Sequence, residues 1–144
     1  MPAFVPAAYA APLRRAASRW SVSAALLAAQ LRQESNFDAR ARSPAGALGI
    51  AQFMPGTARA YGLRDPFDAA AAIDAQAHMM RDLLRQFGAV PLALAAYNAG
   101  SGPVRACMCV PENGETQAYV ARILGLMGGA RDAGGASVPV RLVA

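Results

Sequence analysis

Apolar and polar positions recur along most of this chain at the spacing of a helix. A first helix is predicted over 7–19, with Leu13, Ala17 and Trp20 on its inner side. A second ends at Glu34, because Leu26, Leu27, Gln30, Leu31 and Glu34 recur at helical intervals and Ser23 is placed to cap its start. Residues 36–58 break the period. Pro44, Gly46, Gly49, Pro55 and Gly56 mark turns and close backbone approach, yet Leu48, Ile50, Phe53 and Met54 are apolar. A loop with its own apolar residues suits a binding wall. Pro55 opens a short helix through Tyr61, closed by Gly62. Asp68 caps a long helix to Phe87, with Ile73, Ala77, Met80, Leu84 and Phe87 as its stripe and Gly88 as its stop. Pro91 opens a helix through Asn98, stopped by Gly100. A last helix runs over about 115–127, capped by Asn113, with Tyr119, Val120, Ile123 and Leu126 as its apolar positions. After Gly128 the composition turns to Gly, Ala and Ser. The expected organisation is one all-α domain over 1–128, at most a small hairpin near 45–53, and a flexible tail over 129–144.

Composition narrows the class. The chain has 144 residues, 55% of them hydrophobic, enough for one domain with a real core. No apolar run reaches the roughly eighteen residues of a membrane span. The net charge is +5 and the basic residues are all arginine. Such a surface attracts an anionic polymer, nucleic acid or cell wall. Here the arginines are scattered among alanines instead of forming a basic stripe, so nucleic acid is not the expected partner. Before Arg14 there is no basic residue, and Pro2 and Pro6 interrupt the short apolar stretch, which argues against a secretory signal. The expectation is a protein made and kept in the cytoplasm until something else releases it.

Three features carry candidate chemistry. Glu34 lies on the apolar side of its helix, where a lone carboxylate costs free energy unless paired, wetted or protonated. Desolvation favours the protonated carboxyl, and a carboxyl protonated at neutral pH is a general acid. Periodicity alone favours the ordinary reading, a glutamate near a helix end with its head in water; the residues after it reverse that. Cys107 and Cys109 flank one methionine. A bridge across one residue closes a very small ring, so they are read as free thiols, with a redox or regulatory role as the alternative. His78 lies off the apolar stripe and is read as a surface histidine, since no triad or metal set surrounds it.

Four stretches in register then identify a family. Glu34-Ser35, the run Ser43-Pro44-Ala45-Gly46-Ala47-Leu48-Gly49-Ile50-Ala51-Gln52-Phe53-Met54-Pro55-Gly56-Thr57-Ala58, the run Ala95-Ala96-Tyr97-Asn98-Ala99-Gly100, and Glu115-Thr116 with Tyr119-Val120 closely resemble the soluble lytic transglycosylase domain. The resemblance spans about 18–127. It implies a lysozyme-like fold related to goose-type lysozyme, and cleavage of the MurNAc–GlcNAc β-1,4 bond of peptidoglycan without hydrolysis. In that family the muramyl 6-hydroxyl attacks its own C1 and leaves a 1,6-anhydro end. Glu34 stands at the catalytic position, as acid toward the leaving oxygen and then base toward the 6-hydroxyl. Ser43 matches a serine near the muramyl acetamide, and Gln52 and Met54 match positions lining the glycan groove. Tyr97 and Asn98 match residues beside the catalytic glutamate, and Glu115 matches a groove carboxylate. The resemblance departs at Cys107-Met108-Cys109-Val110-Pro111-Glu112-Asn113-Gly114, where relatives often carry aromatic residues or glycine.

The residues fit that chemistry. Glycosidases that use water need two carboxyl groups across the bond. Only Glu34 occurs in the central motifs, and a single acid suffices when the substrate brings its own nucleophile. No cofactor, metal or disulfide is expected to be needed, so activity should survive both EDTA and dithiothreitol. The expected partner is the glycan strand, met by a monomer acting on the periplasmic wall as a phage endolysin, a virion-associated lysin or a secretion-system enzyme. The competing functions are a goose-type hydrolase, with Asp38 or Glu115 placing a water, and a non-catalytic glycan-binding module.

Overall fold

The computed structural model describes residues 1–128, so the expected tail over 129–144 lies outside the described residues. The described residues form seven helices: α1 Ala7–Trp20, α2 Ala24–Ser35, α3 Pro55–Ala60, α4 Ala69–Phe87, α5 Val90–Ala99, α6 Ser101–Cys107 and α7 Gly114–Gly128. Among the described residues, pairing between extended residues amounts to the isolated antiparallel bridges Arg42–Leu48 and Leu48–Phe53; the second lies within the stretch 45–53 expected to hold a hairpin, and the first begins before it. The chain divides into two compact units, Met1–Arg81 and a second from Asp82 onward, with the boundary inside α4.

In the first unit α2 is the central element. Leu26, Leu27, Ala28, Ala29, Gln30 and Leu31 are all buried, so this middle stretch of the helix is covered on every side, not only along the stripe seen in the sequence. Each fully buried leucine contributes about 1.5–3 kcal/mol by leaving water. Ser23 caps the start as expected, its Oγ accepting from the Leu26 N–H at 3.2 Å. Asn36 ends the helix in the left-handed region at φ 53°, and its N–H returns to the Arg32 carbonyl. α1 packs on α2. The end of α1 is tied to α4: Trp20 Nε1 donates to Asp74 Oδ1 at 3.0 Å, and Arg19 pairs with the other oxygen of that carboxylate. This ion pair is largely exposed and adds little to stability.

His78 departs from the surface role expected for it. Its ring lies flat on Trp20, with centroids 3.9 Å apart, and meets the edge of Tyr61 at 4.9 Å. The helical stripe of α4 could not reveal this, because the partners come from α1 and from the residue after α3. α3 starts at Pro55 as expected, and Asp68 Oδ1 accepts from the Ala71 N–H in the first turn of α4.

The second unit is built on α5, which packs against both α6 and α7. Ala93, Leu94, Ala95 and Ala96 are buried, and the small side chains allow close approach. α6 was not legible in the sequence, where Gly100 read as a stop and no helix was expected between it and Asn113. Pro103 sits in the first turn of α6, where the missing N–H has no helical partner to lose. Asn113 caps α7 as expected, its Oδ1 accepting from the N–H groups of Glu115 and Thr116 at 3.0 and 3.3 Å.

Cys107 and Cys109 are not free thiols: they form a disulfide with a Cα–Cα distance of 5.1 Å. The backbone makes this span accessible. Met108 adopts φ 48° and ψ 45°, reversing the chain after the last residue of α6 and turning the two cysteines toward each other.

Candidate active site

Glu34 lies in the last turn of α2 and is half-buried. The unpaired carbonyls of a helix end point there and repel added negative charge. One turn earlier on the same face, Gln30 is fully buried. Gln76 Nε2 donates to Gln30 Oε1 at 2.8 Å and to the Leu27 carbonyl at 3.3 Å, and Gln30 Nε2 approaches Met80 Sδ at 3.5 Å. These amides carry a polar seam along the inner side of α2 up to the turn that holds the carboxyl. Gln30 was read among the recurring positions of its helix, but its pairing with Gln76 was not legible in the sequence.

The chain leaves α2 through two consecutive left-handed residues, Asn36 at φ 53° and Phe37 at φ 62°. This conformation is unfavourable for a bulky side chain and persists where the surroundings hold it. Phe37 is buried, its ring stacked near that of Tyr9 at 6.3 Å and tilted against Phe4 at the same distance.

Residues 41–54 form a wall fastened by their own hydrogen bonds. Ser35 Oγ donates to the Ile50 carbonyl at 2.8 Å and accepts the Asp38 N–H at 3.1 Å, joining the helix end to the wall. Gly49, at φ 83°, passes so close to residue 66 that an added Cβ would lie 1.9 Å from the Pro66 carbonyl oxygen. Ile50 and Ala51 are completely buried beside it. Neither Ser35 nor Gly49 was singled out from the sequence as positioning the site, although both fall within the family motifs.

The expected groove residues of this unit have different surroundings. Ser43 Oγ accepts the Ala47 N–H at 2.9 Å and closes the turn that begins the wall; its own hydroxyl hydrogen is a further donor. Gln52, at φ 55°, directs its amide nitrogen to the carbonyls of Gly49 and Ala41 at 2.9 and 3.4 Å, so it braces the wall from within. Met54 is 44% exposed, a large apolar side chain held open to solvent at the start of α3. Asp38 is exposed, and its carboxylate accepts the Arg40 N–H at 2.9 Å within its own turn.

In the second unit, Tyr97 and Asn98 lie at the end of α5 and both are half-buried. Asn98 Oδ1 accepts the Thr116 hydroxyl at 2.7 Å, locking α5 to the first turn of α7. Thr116 is fully buried, and its role in holding α7 to α5 was not read from the sequence, where it appeared only within a family motif. Glu115, beside it, is exposed in the first turn of α7, where a carboxylate favours the helix end. Among the described residues no three His, Cys, Asp or Glu side chains gather as a metal-binding set.

Comparison with known proteins gives the family and the fold. The family model described as the transglycosylase SLT domain matches residues 11–119. A transglycosylase of Enterobacteria phage PRD1 is 33% identical over 86 residues, covering 60% of this chain and 32% of the relative. Membrane-bound lytic murein transglycosylase D of Escherichia coli K12 is 35% identical over 113 residues, covering 65% of this chain and 25% of the relative. Among solved structures, an inactive mutant of the lytic transglycosylase Slt from Pseudomonas aeruginosa superposes with a TM-score of 0.73 at 31% identity, covering 85% of this chain and 24% of that one. The 70 kDa soluble lytic transglycosylase of Escherichia coli gives a TM-score of 0.73 at 28% identity, with the same coverage. The chain therefore spans a third or less of the length of these relatives. The all-α, lysozyme-like fold and the match over most of its length place this chain in the transglycosylase SLT domain family.

Proposed function

We propose that this domain is a peptidoglycan lytic transglycosylase with Glu34 as its only catalytic acid and base. The observation that carries the reading is the half-buried Glu34 carboxyl in the last turn of a helix whose preceding stretch, 26–31, is buried, fastened through Ser35 to the 41–54 wall. A carboxyl held in place beside a braced wall is suited to proton transfer at a bound glycan. Glu34 gives its proton to the glycosidic oxygen as the bond to C1 breaks. It then takes the proton of the muramyl 6-hydroxyl as that oxygen closes on C1, forming the 1,6-anhydro end and restoring the acid. Substrate and nucleophile are one molecule, so the second step gains from proximity and needs no bound water.

Ser43, Gln52, Met54, Tyr97, Asn98 and Glu115 are assigned to substrate binding. Ser43 offers its hydroxyl hydrogen to the muramyl acetamide, and Met54 presents apolar surface to a sugar face. Gln52 and Asn98 act chiefly by holding the wall and the end of α5, as their hydrogen bonds indicate. The domain acts as a monomer on glycan strands. The phage relative favours a lysin that reaches the periplasmic wall by release from the cytoplasm or on a virion.

A hydrolytic reaction needs a second carboxylate placed for water. The engagement of Asp38 in its own turn weighs against that role. Mass analysis of digested peptidoglycan tests the reading: anhydro-muramyl ends are expected. Hydrated reducing ends would make the domain a hydrolase, and absence of cleavage by the folded protein would make it a binding module.

A further inference from the structure

We propose that the Cys107–Cys109 bridge is a reversible thiol–disulfide exchange site that takes electrons from a dithiol, and not a structural staple. The proposal is independent of the glycan chemistry.

The location of the bridge supports exchange. Cys107 is the last residue of α6, and both cysteines are exposed. Met108, between them, is 56% exposed in a left-handed conformation. An attacking thiolate reaches these sulfurs without any part of the core opening, and exposed disulfides are the labile and regulatory class.

The bridge also restrains little. It spans a sequence separation of 2, and the entropy that a disulfide removes from the unfolded chain grows with the loop it closes. It joins no distant elements. α6 buries only Val104, and Met108 caps the helix through its N–H to the Val104 carbonyl. The start of α7 is held separately by the Asn113 cap and by the Thr116–Asn98 hydrogen bond. The fold around the bridge thus has its own supports when the sulfurs part.

In the exchange, a thiolate of the dithiol attacks one cysteine sulfur. A mixed disulfide forms, the Cys107–Cys109 bond breaks, and the other cysteine leaves as a thiolate. The second thiol of the donor then attacks its own mixed disulfide and releases the remaining cysteine. The donor is oxidised to a disulfide, and this protein gains two electrons and two protons as the Cys107 and Cys109 thiols. The change is confined to the turn after α6.

The test equilibrates the folded protein in glutathione buffers of graded oxidised-to-reduced ratio and with dithiothreitol, traps thiols with iodoacetamide and reads each form by mass. Both forms are expected across the glutathione series and approached from either side, with full reduction by dithiothreitol in the absence of denaturant. The reduced protein is expected to melt within about 4 °C of the oxidised one. A bridge that stays oxidised in every glutathione mixture, or yields only to denaturant, overturns the proposal. So does a larger fall in Tm on reduction, which would make the bridge a staple.

Discussion

Ser35 Oγ donates a hydrogen bond of 2.8 Å to the carbonyl of Ile50, a residue with no exposed surface. This bond ties the residue after the candidate acid to the 41–54 wall. The same hydroxyl accepts from the Asp38 N–H, so one side chain serves the helix end, the turn after it and the wall. In Ser35→Ala the Ile50 carbonyl loses its donor, and an unsatisfied buried group costs about 1–3 kcal/mol. The expected result is a lower urea midpoint with an unchanged m-value, together with reduced turnover because the wall loosens. Unaltered stability would show that water takes over the bond.

Gly49 and Gly62 form a matched pair for substitution by alanine. Both have positive φ, 83° and 70°. At Gly62 an added Cβ meets nothing within 4 Å, so Gly62→Ala pays only the left-handed backbone cost of about 1–2 kcal/mol. At Gly49 the added atom collides with the backbone of Pro66, which cannot turn aside as a side chain does. Gly49→Ala is expected to fold poorly or to melt far below Gly62→Ala under the same conditions. Equal melting temperatures would mean that the 41–54 wall shifts away from residue 66 at little cost.

Glu34→Gln keeps the shape of the side chain but has no proton to give and recover. The variant should retain the melting temperature within a few degrees and lose activity by at least about 10²-fold, the lower range for general acid–base catalysis. Turbidity loss of purified peptidoglycan measures the rate. Retention of more than a tenth of the wild-type rate would remove Glu34 from the mechanism.

Tyr97→Phe removes one hydroxyl from a half-buried ring at the end of α5. The substitution is expected to slow turnover severalfold with nearly unchanged Tm. The opposite pattern, a stability loss with the rate preserved, would make Tyr97 a packing residue.

Most helices were legible before any coordinates because their signals are local. Ser23, Asp68 and Asn113 reach N–H groups within three residues, and Pro55 and Pro91 lie in the first turn of a helix; these contacts exist wherever the chain turns helical. Glu34 was singled out as a candidate through its neighbours in the chain, since the motifs around it are contiguous runs. What tertiary structure alone decided rests on partners distant in sequence or on backbone conformation. The stack of His78 on Trp20, the amide pair Gln76–Gln30 and the approach of Gly49 to Pro66 each join residues whose separation carries no periodic signal. α6 was hidden because Pro103 and Gly102 weaken a helix interior but are tolerated in a first turn, and only its contact with α5 distinguishes the cases. The cysteines were misread for a related reason. Their spacing suits a bridge only if the residue between them reverses the chain, and Met108 does so in a left-handed conformation that its residue type disfavours.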